Sequence, residues 1–465
     1  RGDSVPITET RMSKTGKLYR CTECGYTTSH WLGRCPNCSS WNTIEEVMVE
    51  KEPKRSQIKV ASSKPLTLTE IRATSIERIT TDYGETDRLL GGGVVPGSVL
   101  LIGGEPGIGK STLMIQLSES FSKKGLKVLY NCAEESVYQV GLRASRLNIE
   151  GKNLMIISES SLDSAISLYE EMKPDIFIID SIQAVRDESL EAQPGTVSQI
   201  KLCTSRIIDI AKRDNSVVFI TGHVTKEGML AGPKTLEHMV DGVFYFEGER
   251  DGMIRLLRSV KNRYGDTNEV AFMEMTSEGL KEINNPSLFF IREGLGTTPG
   301  ATIGVVMEGT RPILVEVQAL VTRSVYTMPK RVVQGIDFNR FSFIIAVLEK
   351  LIQLTLFNKD IFLNIPGGFN IKDPAIDLPV ALAIISSTIE IPLSSEIFSF
   401  GEIGLTGEIR QVMWYEKRIE TALRLGYSEG IAPLQRVTHS KVKGVRTLRE
   451  VYELIKNARS GVRSI

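Results

Sequence analysis

Two short stretches hold residues whose types and spacing could do chemistry. The first is GGEPGIGKST, residues 103–112. Gly104, the four residues Glu105, Pro106, Gly107 and Ile108, then Gly109, Lys110 and Ser111 fit the pattern GxxxxGK[ST]. Backbone N–H groups of such a loop cradle nucleotide phosphates. The helix that starts there adds its positive N-terminal end. Lys110 would reach the β- and γ-phosphates of ATP, and the Ser111 hydroxyl would ligate Mg2+. Thr112 is expected to pack or cap. The apolar run SVLLI before the loop and the amphipathic LMIQLSESF after it read as strand and helix, the context the motif requires. A chance glycine-rich turn is the plainer alternative.

Other residues fit the same chemistry. Asp180 closes the apolar run DIFIID, where a carboxylate can meet Mg2+ through water. In YNCAEES, Glu134 is the choice for polarising an attacking water, and Glu135 is expected to cap the next helix. His223 ends VVFITGH and could sense the γ-phosphate; a satisfied core histidine is the alternative. The stretch VTKEGMLAGPKTLEH that follows has little periodicity and reads as a mobile loop able to touch a partner, or as an ordinary surface loop. Lys261 and Arg263, in KNR after a strand pattern, make an anion-binding pair or a solvated basic turn.

The second stretch holds four cysteines. Cys21, Cys24, Cys35 and Cys38 form two Cys-x2-Cys knuckles ten residues apart. That spacing predicts a tetrahedral structural Zn2+ site with no open position for catalysis. Two disulfides or free thiols are the alternatives. His30 lies between the knuckles and is expected at the surface. Few large apolar residues accompany it, so metal binding should supply much of the folding energy. Cys132 and Cys203 stand apart. The four histidines are scattered, which argues against histidine-cluster chemistry.

The elements that must position these residues fall into segments. Residues 1–46 hold the tail and the four-Cys finger, and 47–75 read as a polar linker. From 76 to 285, SVLLIGG, KVLYNCA, LMIIS, DIFIIDS and SVVFITG alternate with helical patterns. This predicts an α/β domain with a parallel sheet covered on both faces. A two-stranded hairpin around Glu249–Gly252 should follow. Residues 286–465 read as a separate α+β domain, with strands in ILVEVQALV and DIFLNIPGG and helices in DLPVALAIISSTI and YEKRIETALRLG. The 465 residues allow two or three domains. Lys+Arg and Asp+Glu both number 56, so a nucleic-acid partner would need a local basic surface. No apolar run approaches membrane-spanning length, and no secretory h-region precedes the finger, so the expectation is a cytoplasmic protein with no membrane partner.

The order of the four-Cys knuckle, GGGVVPGSVLLIGGEPGIGKST, AEES, IIDSIQ, GHVTKEG, GPKTLEHMVDGVFYFEGER and KNRYG resembles the bacterial RadA (Sms) family of DNA repair and recombination ATPases, from Leu18 onward. In KNRYG, Tyr264 stands where the family has Phe, which keeps the ring. The resemblance implies a RecA-like P-loop NTPase core using ATP, Mg2+ and Zn2+. It implies a homohexameric ring that translocates on single-stranded DNA, acts on branched DNA and drives branch migration with the RecA recombinase. By analogy with related ring helicases, Lys261 and Arg263 become fingers that reach the ATP of the neighbouring subunit.

The C-terminal segment resembles the protease domain of Lon in NIPGGFNIKDPAIDLPVALAI and FGEIGLTGEIRQVMWYEKRIETALRLG. Where Lon carries its nucleophilic Ser and its Lys, the best-matching positions hold Ala375 and Glu416, neither of which can be an activated hydroxyl or its base. Ser386 and Ser387 lie downstream with no evident base. Lys417 is one residue off, which turns it about 100° around a helix. The expectation is a non-proteolytic scaffold. Competing readings are an ATP-dependent serine peptidase and a nucleotide-gated DNA-binding scaffold without motor activity.

Overall fold

The computed structural model describes residues 17–21, 27–28, 30–36, 39–48, 67–69, 77–223, 236–248, 253–291, 298–325, 328–367, 370–435 and 439–458. The chain divides after Ser75 into two units.

In the first unit, β1 (Lys17–Cys21), β2 (Thr27–Thr28) and β3 (Ile44–Met48) form an antiparallel sheet in the order β2-β1-β3. β3 runs to Met48, two residues past the expected end of the finger at 46. Cys21 and Cys35 are buried beside Ile44, with Tyr19 against them. Among the described residues this apolar set is small, and a core of that size rarely carries a fold by itself. Cys24, Cys38 and most of the linker lie outside the described residues.

The second unit, Ile76–Ile465, contains two large sheets. The strands of the first are β4 (Val99–Gly104), β5 (Val128–Asn131), β6 (Leu154–Ile157), β7 (Ile176–Ile179), β8 (Val217–His223), β9 (Gly242–Glu247), β10 (Ile254–Asn262), β11 (Val270–Thr276) and β12 (Gly279–Glu282). They lie in the order β12-β11-β10-β9-β4-β8-β7-β5-β6. From β9 to β6 every pairing is parallel. β10, β11 and β12 extend the sheet antiparallel. The two arms of the expected hairpin are thus β9 and β10, and its tip, 249–252, lies outside the described residues.

Alternation along β4 explains the layers, because successive side chains point to opposite faces. Leu100 and Ile102 pack on one face with residues of the helix Lys110–Lys123. Val99 and Leu101 pack on the other with the helices Leu162–Met172 and Val197–Asp214. A strand buried on both faces must be apolar throughout, and β4, β5 and β7 are nearly so.

The second large sheet comprises β13 (Ala301–Glu308), β14 (Arg311–Arg323), β15 (Arg331–Gln334), β16 (Lys359–Asn364), β17 (Ile397–Ser399), β20 (Glu429–Pro433) and β21 (Val442–Val445), in the order β15-β16-β14-β13-β17-β20-β21. β18 (Glu402–Ile403) and β19 (Ile409–Arg410) form a small ribbon. The helices Phe338–Ile352, Asp377–Ile389 and Leu448–Ala458 share one core, to which Leu256, Val270 and Phe272 of the first sheet also belong. The two sheets therefore pack as one body rather than as beads on a string.

Candidate functional site: a phosphate loop at converging strand ends

The parallel register sets the site. Gly104 pairs with His223, and Asn131 with Ile179. The C-terminal ends of β4, β5, β7 and β8 therefore open on one edge of the sheet, where open α/β folds bind ligands. Four residues singled out from sequence, Lys110, Glu134, Asp180 and His223, meet there.

The loop conforms to the demands of phosphate binding. Gly107 and Gly109 take φ of 80° and 118°, which L side chains rarely adopt, and a Cβ on Gly107 would meet nothing within 4 Å. Gly109 is the N-cap of the helix Lys110–Lys123, and no side chain blocks its first N–H groups. Ser111 and Thr112 are half-buried in its first turn. Lys110 is buried and folds back on its own loop. Its Nζ donates to the carbonyls of Gly104 and Glu105, at 2.9 and 3.0 Å, and lies 3.2 Å from His223 Nδ1. Burial pulls its pKa down to about 8, against the upward pull of Asp180 and Glu134. A buried cation held only by neutral acceptors is suited to exchange them for phosphate oxygens.

Asp180 follows β7 and is fixed from both sides. Tyr130 Oη donates to it at 2.6 Å and Thr221 Oγ1 donates to its other oxygen. Each carboxylate oxygen keeps lone pairs for a metal-bound water. Beside this carboxylate, burial pushes the Tyr130 phenol far up, so it stays a donor. The donor set of Ser111 and Asp180 suits Mg2+, which keeps most of its waters.

Glu134 sits in the turn after β5. Ser181 Oγ donates to its Oε1, and His223 Nε2 lies 3.1 and 3.2 Å from its two oxygens. These contacts, that to His223 foremost, hold its carboxyl below the usual range. With Lys110 donating to Nδ1, His223 presents its Nε2–H to Glu134. The arrangement can hold an ionised carboxylate where a water would attack a terminal phosphate. The expectation that Glu135 caps the following helix is corrected. Ser136 caps it, in a capping box with Gln139, and Glu135 pairs with Arg143 at 2.7 Å. The Ser136 hydroxyl is the shorter acceptor and reaches Gln139 N, leaving Glu135 to the arginine.

Lys261 and Arg263 are not brought to this loop within the chain. A bulge at Val260 sets Lys261 opposite Val243. Lys261 Nζ donates to the carbonyls of Glu237 and Val240, at 2.6 and 2.8 Å. Arg263 pairs with buried Asp241 at 2.9 Å, and Asp241 also accepts from Val99 N. This is the opposite end of β4 from the phosphate loop, about 17 Å away by strand rise.

Sequence reasoning missed Ser181, Tyr130, Thr221 and Arg255. Arg255 on β10 is buried, and its Nε donates to the carbonyl of Ile108 inside the phosphate loop, at 3.2 Å. The signal for Ser181 was present, since it follows Asp180 in IIDSIQ. Arg255 had none, because only the antiparallel extension brings it there. The loop expected after His223 lies outside the described residues over 224–235.

Beside the second large sheet, Ala375 is buried in a short helical turn and Glu416 is exposed on the helix Tyr415–Arg424. Asp373 accepts from the N–H groups of Met307 and Ala375 and pairs with buried Arg418 at 2.7 Å. Ser386 Oγ donates to Ile391 O and accepts from Gly300 N, and Ser387 Oγ accepts from Val321 N. Lys417 Nζ donates to Thr310 O. Both serine hydroxyls are engaged with main chain.

Comparison with known proteins decides the family. The chain is 45% identical to the DNA repair protein RadA of Bacillus subtilis (strain 168), over 94% of this chain and 97% of that one. It is 47% identical to the DNA repair protein RadA of Streptococcus pyogenes serotype M3 (strain ATCC BAA-595 / MGAS315), over 96% of this chain and 100% of that one. This chain belongs to the DNA repair protein RadA family. Residues 19–46 of this chain match the model of a rubredoxin metal binding domain, and residues 317–436 match that of the ChlI subunit of Mg-chelatase. The first match supports Zn2+ at the finger, where Cys21 and Cys35 are the buried cysteines described. The KaiC-like protein PH0186 from Pyrococcus horikoshii OT3 aligns over 45% of this chain and 100% of its own, at 16% identity and a TM-score of 0.39. That likeness is too weak to carry the fold, which rests on the sheet order. Among the described residues, no helix is long and apolar enough to cross a membrane.

Purified protein is expected to carry one Zn2+ per chain, and Cys35→Ser to lose it. Metal analysis by mass spectrometry checks this. A stoichiometry near zero with intact disulfides would refute the finger.

Proposed function

We propose that this RadA-family chain is a DNA-dependent ATPase motor of homologous recombination and repair. It works as a homohexameric ring, translocates on single-stranded DNA and promotes branch migration of recombination intermediates together with the RecA recombinase. The observation that carries the reading is the meeting of Lys110, Asp180, Glu134 and His223 at four adjoining strand ends. Lys110 and the loop from Gly104 to Ser111 bind the phosphates of ATP. Ser111 and Asp180 would hold Mg2+, which would supply charge neutralisation at the phosphates when bound. Glu134 polarises the attacking water, and His223, between Glu134 and Lys110, registers the γ-phosphate. The C-terminal body is a scaffold, not a peptidase, because Ala375 and Glu416 supply neither nucleophile nor base.

ATP turnover measured with and without single-stranded DNA tests the reading. Turnover should rise on adding DNA. DNA binding without turnover in either condition would favour a nucleotide-gated scaffold, and peptide cleavage would restore the peptidase reading.

A further inference from the structure

Ser181 is the next residue after Asp180, yet the two side chains serve different partners. Asp180 is held by Tyr130 and Thr221. Ser181 is buried, and its hydroxyl donates to Glu134 Oε1. Glu134 itself rises from a turn and its side chain is 40% exposed. A carboxylate on such a turn samples several rotamers unless neighbours fix it. Two neighbours do so here, the Ser181 hydroxyl and the His223 ring.

The two contacts differ in how they depend on nucleotide. His223 touches Lys110 through its other nitrogen. When Lys110 leaves its loop carbonyls for a phosphate, the His223 ring loses that partner and keeps Glu134 on its other nitrogen, so its hold on Glu134 is no longer anchored to the lysine. The Ser181 contact involves neither Lys110 nor the phosphate loop. It comes from the strand end that also carries Asp180, so it ties the orientation of Glu134 to the metal-side carboxylate.

We propose that Ser181 is a positioning residue that orients the Glu134 carboxylate for water activation, independently of nucleotide contacts. The inference rests on the reading of Glu134 as the water-polarising group. It assigns Ser181 no contact with ATP, so its effect belongs to turnover and not to binding.

The test is steady-state and single-turnover ATP hydrolysis by the full-length protein with single-stranded DNA. Ser181→Ala should lower kcat roughly tenfold, a fraction of what general-base catalysis supplies, and leave KM for ATP within about twofold. Ser181→Cys keeps the volume of the side chain but donates weakly, so it should fall with Ala. Ser181→Thr keeps the hydroxyl and should recover turnover. In a Glu134→Gln background, Ser181→Ala should cause no further loss, because the group it orients is gone. A Cys variant with normal kcat would overturn the inference, as would a rise in KM at unchanged kcat, or a Ser181→Ala defect that multiplies with Glu134→Gln. Normal turnover by Glu134→Gln alone would overturn the reading of Glu134. Loss in Glu134→Gln with none in the Ser181 variants would overturn this inference alone.

Discussion

Lys110→Ala is expected to lower ATP turnover on the order of 10³-fold, the scale at which a preorganised group facing developing charge contributes. The lysine is buried, and its only hydrogen-bond partners among the described residues are Gly104 O, Glu105 O and His223. None is an anion, so the charge is balanced only at longer range by Asp180 and Glu134. In the proposed reading, phosphate oxygens of ATP replace these neutral acceptors, and the alanine variant has nothing to offer them. The fold should survive, because two loop carbonyls lose a donor but open to water once the side chain is gone. Circular dichroism should therefore match the parent while hydrolysis disappears. Near-parental turnover by a folded Lys110→Ala protein would remove the nucleotide assignment from this loop.

How far the sequence could be read depended on whether the physics was local. The phosphate loop was legible because its glycines, its lysine and its helix start are consecutive. The central strands were legible because burial on both faces requires unbroken apolar runs, as in IFII at β7. The contacts among Lys110, Glu134, Asp180 and His223 needed the register of four strands; local pattern placed Asp180 and His223 at strand ends, Glu134 just after one and Lys110 at a helix start. β11 and β12 were missed because one face of this extension joins the core of the second sheet, so VAFMEMT lacks a clean alternation. The bulge at Val260 was illegible because an unpaired residue in a strand leaves no compositional mark. Glu135 was misjudged because a nearby arginine eight residues on, Arg143, outcompeted the helix N-terminus for its carboxylate.

Arg263→Ala is expected to bind ATP through its own loop and hydrolyse it poorly, by on the order of 10³-fold or more for an arginine finger. Within one chain Arg263 lies at the far end of β4 from the phosphate loop, so it cannot reach its own nucleotide. Its pairing with Asp241 uses one terminal nitrogen, Nη1, and its side chain is 48% exposed. A guanidinium has five donors, so those left over can face a neighbouring subunit. If they do, hydrolysis occurs between subunits, and the phosphate charge couples one subunit's position to the next subunit's chemistry. In the proposed ring, that coupling would be the means of pulling on DNA. Asp241 complicates the alanine variant, because its buried carboxylate keeps Val99 N but loses a cation. Arg263→Lys controls for this: it restores a charge beside Asp241 without the planar fork, so it should recover stability but not turnover. Mixing subunits then separates the two effects. Lys110→Ala subunits carry an intact finger and Arg263→Ala subunits an intact loop, so some interfaces of a mixed ring combine both. Activity should reappear in mixtures of two inactive proteins. Mixed rings that form and stay inactive, or Arg263→Ala subunits that hydrolyse ATP normally, would leave Arg263 as a partner of Asp241 and nothing more.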